Sequence, residues 1–244
     1  MSYHTLASYY DSFTNNMDYQ KRTDFICALF SDFLHVAPNK KTGSVSDQVV
    51  LDLACGTGKY SAALLQRGYD VIGIDASVEM LSIAREKCPS MLLLCQRLEE
   101  LDLYGTAQAA ICLTDSVNHI TDPALVQRFF QRLALFMDPG APFIFDINTL
   151  HKHTHVLANN TFLYENDEAV CVWHNKWLPE KQMTEITLDF GAQVERFCER
   201  VYHIEELTVW LNEAGFAIEQ VMDAPGEEGE RAFVVARRNK KHVA

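Results

Sequence analysis

The stretch Val49-Val50-Leu51-Asp52-Leu53-Ala54-Cys55-Gly56-Thr57-Gly58 carries an apolar run into two glycines, and Lys59–Arg67 then continues with helical composition until Gly68. Few architectures let a strand end in a glycine turn that opens directly into a helix. Glycine is needed because a Cβ would block a ligand's approach and because the turn wants backbone angles that other residues avoid. The helix start presents unpaired N–H groups and positive potential, which suit a carboxylate or a phosphate. Gly68 stands where a helix is expected to stop.

Downstream the pattern repeats. Val71–Asp75 reads as a second strand, and Ser77 can cap a helix running to about Lys87. Met91–Cys95, Ala109–Thr114 and Pro142–Ile147 read as strands three to five. Asp122-Pro123 opens a helix with Leu125, Phe129, Leu133 and Phe136 on one face. Such alternation predicts a parallel sheet covered by helices. From Phe162 to Tyr202 apolar residues alternate instead, as in Ile186/Leu188/Phe190, which predicts an antiparallel meander or cap. Ile204–Ala214 returns to a helix, followed by strands near Phe216–Val221 and Ala232–Ala236. The first 37 residues read as helical, with an apolar face from Phe25 to Leu34, and a Lys-, Gly- and Ser-rich loop, Pro38 to Gln48, leads into the core.

Seventeen residues after Gly58 the second strand ends at Asp75. In a sheet of this type an acid there lies beside the glycine turn and accepts hydrogen bonds from both hydroxyls of a ribose. Two cofactor classes share the arrangement. Dinucleotide-binding dehydrogenases want a third glycine where this chain has Ser61, and they seldom carry an acid inside the first strand, where this chain has Asp52. Leu51, Leu53, Ile72 and Ile74 would be core residues in any α/β protein. The functional reading rests on the joint spacing of Asp52, Gly56, Gly58 and Asp75.

Leu51-Asp52-Leu53-Ala54-Cys55-Gly56-Thr57-Gly58 closely resembles motif I of the class I S-adenosylmethionine (SAM)-dependent methyltransferases, with Ala54 where the usual form has glycine. Val71–Ser77, followed by Met80-Leu81 and Ala84, resembles the family's second motif. The resemblance implies that Asp75 and Ala76 lie at the ribose and that Met80 packs on the adenine. It places Arg97 and Leu98 at the adenine edge, with Arg97 where many relatives carry Asp, and Leu113 beneath the cofactor. Ala54, Cys55, Gly56 and Gly58 would form the turn itself. Tyr10 and Tyr19 resemble the N-terminal lid of small-molecule methyltransferases. The implied fold is α/β: a Rossmann-like, mostly parallel sheet of seven strands between helices, with an antiparallel β insertion after strand five. The boundaries expected are a lid over 1–37, a SAM-binding core over 38–150, a β cap over 151–203 and a closing helix with the last strands over 204–244.

Ligands of open α/β sheets bind beyond the carboxyl ends of the strands. That directs the methyl acceptor to Thr114–His119 and Asp146–Thr149, with Asp115, Asn118 and the cap residue Trp173 as candidate contacts and His119 as a candidate base. Asp115, Asp146 and Asn148 resemble the Mg²⁺ ligands of catechol-type enzymes, but the meander after Thr149 is foreign to that branch, so no metal is expected. His151, His153 and His155 would share one face of a strand, a remote candidate for metal binding, whereas helical or loop geometry would break that grouping. The asparagine/aspartate-Pro-Pro-aromatic and Pro-Cys signatures of nucleobase methylation are missing. A net charge of −12 also opposes a phosphate backbone, and the clusters Lys40-Lys41 and Arg237-Arg238 with Lys240-Lys241 read as a solvated loop and tail.

The seven cysteines, Cys27, Cys55, Cys88, Cys95, Cys112, Cys171 and Cys198, form no C-x-x-C pair and suit reduced, buried thiols. No apolar run approaches the roughly 20 residues of a membrane span. The start Met1-Ser2-Tyr3-His4 lacks a basic, apolar leader. The expectation is a cytoplasmic monomer or homodimer that methylates N or O of a small molecule and leaves S-adenosylhomocysteine (SAH). The alternatives are an NAD-type oxidoreductase and a non-catalytic SAM-binding module.

Overall fold

The computed structural model describes residues 4–14, 18–34, 48–165 and 170–239. Strand β1 (Val49–Leu53) lies inside a seven-stranded sheet. On one side it pairs with β2 (Asp70–Asp75), which pairs with β3 (Leu92–Cys95). On the other side lie β4 (Ala109–Cys112) and β5 (Pro142–Asn148), and all five strands are parallel. The chain thus builds outward to β3 and then returns across β1, which opens a crevice at the carboxyl ends of β1 and β4. β11 (Glu227–Arg238) runs antiparallel to β5, and β10 (Phe216–Ala224) antiparallel to β11, giving the order β10-β11-β5-β4-β1-β2-β3.

Helices cover both faces, so the strands read as nearly continuous apolar runs. Helices α2 (Tyr19–Leu34) and α3 (Lys59–Gln66) bury Ile26, Phe30 and Leu64 against Val50, Ile111, Ile144 and Phe233. Helices α5 (Pro123–Leu135) and α6 (Ile204–Ala214) bury Phe129, Phe130, Leu207 and Leu211 against Leu51, Leu53, Phe143 and Phe145. Helix α1 (His4–Phe13) lies over the crevice and touches α4 (Val78–Lys87). Local signals act as expected. Ser77 accepts from the Met80 N–H, and Asp122 accepts from the Ala124 N–H with Pro123 at the first helical position. Gly68 takes φ 87° just past α3.

Between β5 and α6 stands a separate antiparallel sheet in the order β6 (Thr161–Glu165), β7 (Val170–Leu178), β8 (Met183–Asp189), β9 (Val194–Arg200). Thr184, Ile186 and Leu188 alternate inward along β8, as a one-faced sheet requires. Cys171, Ile186 and Leu188 pack with Leu6 and Phe13 of α1, so lid and cap share one small core.

Three expectations need correction. Residues Lys152–Leu157 form a π-helical turn, so the alternating histidines share no strand face: the rings of His151 and His155 stack 4.5 Å apart, while His153 is buried. β4 stops at Cys112, because Thr114 and Asp115 adopt φ 60° and 51°. The buried stripe of α5 centres on Val126, Phe129, Phe130 and Leu133, which leaves Leu125 and Phe136 at its half-buried rim. The entry loop at 38–47 and the lysines at 40–41 and 240–241 lie outside the described residues. All seven cysteines are free thiols. Among the described residues no helix is long and apolar enough to cross a membrane.

Phe143 is wholly buried and meets the rings of Phe129, Phe130, Phe145 and Phe216 within 6.2 Å. Phe143→Ala is therefore expected to cost about 3–5 kcal/mol of folding free energy in urea denaturation, as truncation of a buried aromatic does.

Candidate active site

At the end of β1 the backbone turns through alternate left-handed residues, Ala54 at φ 56°, Gly56 at 55° and Gly58 at 77°. The turn is closed by Cys55 N–H on the Ile74 carbonyl (3.0 Å) and Gly58 N–H on the Cys55 carbonyl (2.9 Å). The two glycines answer different needs. A Cβ on Gly58 would stand 3.1 Å from the Ala84 Cβ, whereas one on Gly56 would meet nothing within 4 Å and would project into open space. Gly56 keeps room for a ligand; Gly58 keeps room for α4.

Asp75, ending β2, accepts the Gly56 N–H on Oδ2 and the Ser77 N–H on Oδ1, both at 2.8 Å. Each oxygen thus retains a lone pair, and the carboxylate borders a cavity of about 940 Å³ that also takes in Ala54, Gly56, Ala76 and Met80. Leu98 borders it too. Arg97, its side chain 53% exposed, turns to Glu99 (2.5 Å). Asp52 faces elsewhere. It is buried, accepts the Ser61 hydroxyl at 2.5 Å, and lines a side recess of about 30 Å³ with Cys55, Tyr19, Leu113 and Tyr10. Burial pushes its carboxyl up to about 7, against the bond from Ser61. Tyr10 belongs to both spaces. Gly58 borders neither.

The other half of the floor lies beyond β4 and β5. Asp146 accepts the N–H groups of Thr114 (3.0 Å) and Asp115 (2.5 Å), the two residues with positive φ. Arg231 of β11 places Nη1 2.9 Å from Asp146 and 2.8 Å from Asp115, and its Nε bonds Glu227 at 2.9 Å. A guanidinium therefore bridges the two aspartates that the Mg²⁺ resemblance singles out. Burial pushes Asp115 up, but Arg231 and His119 outweigh it and hold its carboxyl well below the usual range. Glu227 also pairs with Arg22 and, at 3.2 Å, with Lys152.

His119 stands 3.7 Å from Asp115 and 3.8 Å from Glu199 of β9. Burial alone would lower its pKa, yet these carboxylates raise it, so the imidazole holds its proton to higher pH than a free histidine. Asn118 is buried off the cavity: its Oδ1 accepts the Asn148 N–H (3.0 Å) and its Nδ2 donates to the Asn148 and Arg200 carbonyls (3.2 and 2.8 Å). It is a brace between β5 and β9.

Helix α1 and the cap complete the roof. Asp11 accepts the Thr57 hydroxyl at 2.6 Å and pairs with Lys59 and Lys87. Tyr9 and Phe13 meet Phe190 at 5.8 and 6.0 Å, and the Leu6 N–H donates to Glu195 at 3.0 Å. Trp173, stacked on Tyr164 at 5.7 Å, borders the cavity from the cap. Sequence reasoning missed Arg231, Glu199 and Glu227. Each stands on a strand with no motif around it, and only strand pairing brings β9 and β11 to the floor.

Asp52 carries a stability prediction. A carboxylate whose folded pKa lies above its unfolded value favours folding only while protonated, so this contribution fades as pH climbs through about 7. Asp52→Asn removes the effect. Its Tm relative to the parent is expected to rise by at least about 3 °C between pH 5 and pH 8 in scanning calorimetry.

Comparison with known proteins places the same segment at the centre. Residues 50–140 match a family model described as a methyltransferase domain. The chain is 28% identical to a putative methyltransferase, YqeM, of Bacillus subtilis strain 168 over the full length of both. It is 26% identical to a putative methyltransferase of Geobacillus sp. strain WCH70 over 98% of this chain and 100% of that one. The crystal structure of a SAM-dependent methyltransferase from Clostridium acetobutylicum superposes with a TM-score of 0.80 at 27% identity, covering 95% of this chain and 96% of that one. The likeness runs the length of the chain, and the matched segment builds the glycine turn and Asp75, so the chain has the Rossmann-like fold of the class I SAM-dependent methyltransferases and its residues 50–140 match their domain.

Proposed function

We propose that the protein transfers the methyl group of SAM to a nitrogen or oxygen of a small molecule in the cytoplasm, releasing SAH. One observation carries this reading: Gly56 and Asp75 border the same chamber as Asp115, His119 and Trp173, so the donor's half and a second ligand's half are one space. SAM supplies a methyl group already activated on a sulfonium sulfur. The side chains fit such a cofactor. The open space at Gly56 admits its close approach, and the free lone pairs of Asp75 accept from two ribose hydroxyls. Met80 and Leu98 offer apolar surface to the adenine, and Ala54, Tyr10 and the recess beside Asp52 and Tyr19 suit the methionine end.

With the methyl group already activated, the protein needs no covalent nucleophile. Its work is to fix the acceptor in line and to exclude water, and alignment of this kind supplies roughly 7–11 kcal/mol in favourable cases. The lid contributed by α1 and the aromatic wall of the cap serve that purpose. A roofed chamber of about 940 Å³ holds a cofactor and a small acceptor, and its mixed walls suit a molecule with an apolar body and a polar end.

Calorimetric titration with SAM, SAH and NAD tests the reading, and absence of heat with both sulfur ligands overturns it. Asp75→Asn is expected to weaken SAH binding by one to two orders of magnitude, as loss of hydrogen bonds to a charged acceptor does. Asp115→Asn is expected to change it less than about threefold, since its carboxylate faces Arg231. Equal effects would refute the residue assignment.

A further inference from the structure

The acceptor end of the chamber is richer in hydrogen-bond acceptors than in donors. Glu199 is buried at the wall, and its ion-pair partners among the described residues are the two imidazoles of His119 (3.8 Å) and His153 (3.9 Å). Neither is a permanent cation. His153, buried and bonded through Nδ1 to Thr184 at 2.8 Å, is held neutral because burial pushes its pKa down to about 4. Glu199 Oε2 accepts one bond, from Asn148 Nδ2 at 3.1 Å. That bond fixes the orientation of the Asn148 amide and leaves its Oδ1 buried without a partner, in a residue that borders the cavity. By contrast the guanidinium on this floor is spent, since Arg231 serves Asp115, Asp146 and Glu227 together.

An unpaired amide oxygen beside a carboxylate that lacks a permanent cation calls for a ligand that brings several N–H donors and positive charge. We propose that Asp115, His119, Asn148 and Glu199 form the recognition site for an amine acceptor, and that Glu199 takes the proton its nitrogen must lose. The proposal rests on the methyltransferase reading above and adds the chemical class of the acceptor. An alcohol offers one donor and no charge; a carboxylate would be repelled. The cap supplies the body's environment, for Phe197, which lies 5.1 Å from the His119 ring, Trp173 and Leu188 are apolar residues bordering the same space. The acceptor is therefore an alkyl- or arylalkyl-amine.

The proton balance closes. An alkylammonium, protonated at neutral pH much as lysine is, donates N–H bonds to Glu199 and to Asn148 Oδ1, and its charge displaces the proton of His119 to solvent. One N–H bond then breaks and an O–H bond forms on Glu199. The nitrogen's freed lone pair bonds to the methyl carbon, and the carbon–sulfur pair stays on sulfur as a neutral thioether. The methylated nitrogen carries the positive charge away, and Glu199 returns its proton to water on release. Burial, and then Asp115, push the Glu199 carboxyl up to about 6, while His119 draws it back, which leaves it basic enough to accept and acidic enough to recycle near neutrality.

The test is calorimetry on the SAH-loaded full chain with 2-phenylethylamine, 3-phenylpropylamine and 4-phenylbutylamine, each against its matched alcohol and carboxylate. At least one amine is expected to bind ten or more times more tightly than its matched compounds. Its affinity should climb at least fivefold from pH 5 to pH 7.5, as the Glu199 carboxyl, held at about 6, ionises, with Asp115, Arg231, His153 and Asn148 keeping their states. Glu199→Gln should lose amine binding at least tenfold while its SAH affinity, which also reports that it has folded, stays within twofold. With SAM in place of SAH, the same amine should yield its N-methyl product. An alcohol or carboxylate that binds as well as its amine, a Glu199→Gln protein that keeps amine affinity, or an amine series that fails to bind where SAH does, overturns the proposal and leaves the methyltransferase reading standing. Failure of SAH itself to bind overturns that reading as well.

Discussion

The floor of the chamber depends on one buried ion pair, Arg231 with Asp146. Left-handed backbone at a residue other than glycine costs of order 1–3 kcal/mol, and here it occurs twice in succession, at Thr114 and Asp115. Asp146 holds that turn by accepting both N–H groups. A wholly buried carboxylate is itself unfavourable, and Arg231 supplies the compensating charge. The geometry follows from sheet alternation: Asp146 and Arg231 fall on one face of β5 and β11, which pair directly, with Ala232 opposite Ile147.

That pair also sets the chemistry available nearby. Because Arg231 is already committed to three carboxylates, the anions of the floor are not equal. Asp115 is kept ionised by Arg231 and lends the floor a fixed negative charge. Glu199, one strand further into the cap, is left with imidazoles and an amide. The same fold therefore gives one carboxylate kept ionised and another poised near neutrality within a single cluster, a division of roles produced by placement rather than by residue type.

What the sequence made legible was the half of the molecule governed by local rules. The glycine turn, the strand-end Asp75, the Ser77 and Asp122 caps and the alternating β8 are each dictated within about ten residues, and each forms where expected. The acceptor half is built by long-range pairing. Glu199 meets His119 across eighty positions, and Arg231 meets Asp115 across more than a hundred. No motif surrounds either partner, so neither could be named beforehand. Asp52 illustrates the intermediate case: its position in the motif was plain, but its burial against Ser61 depended on how α3 returns over the strand. The histidines at 151, 153 and 155 stayed open between a shared strand face and a helical turn, because alternation fits both equally over so short a span, and the π-helical turn decides it.

Floor and roof are held by interactions of different strength. The floor is fixed by buried charges whose separation would strand an ion in the interior, a change that costs several kcal/mol. The roof is fixed by Asp11 with Lys59 and Lys87, partly exposed pairs of a kind worth a few tenths to about 1 kcal/mol each. Ring contacts of Tyr9 and Phe13 with the cap add comparable amounts. Lifting α1 therefore costs far less than disturbing the residues beneath it. A chamber that must admit two ligands, exclude water while they react, and then release both needs this inequality. Preorganisation resides in Asp75, Asp146 and Arg231, and access resides in the ten residues of the first helix.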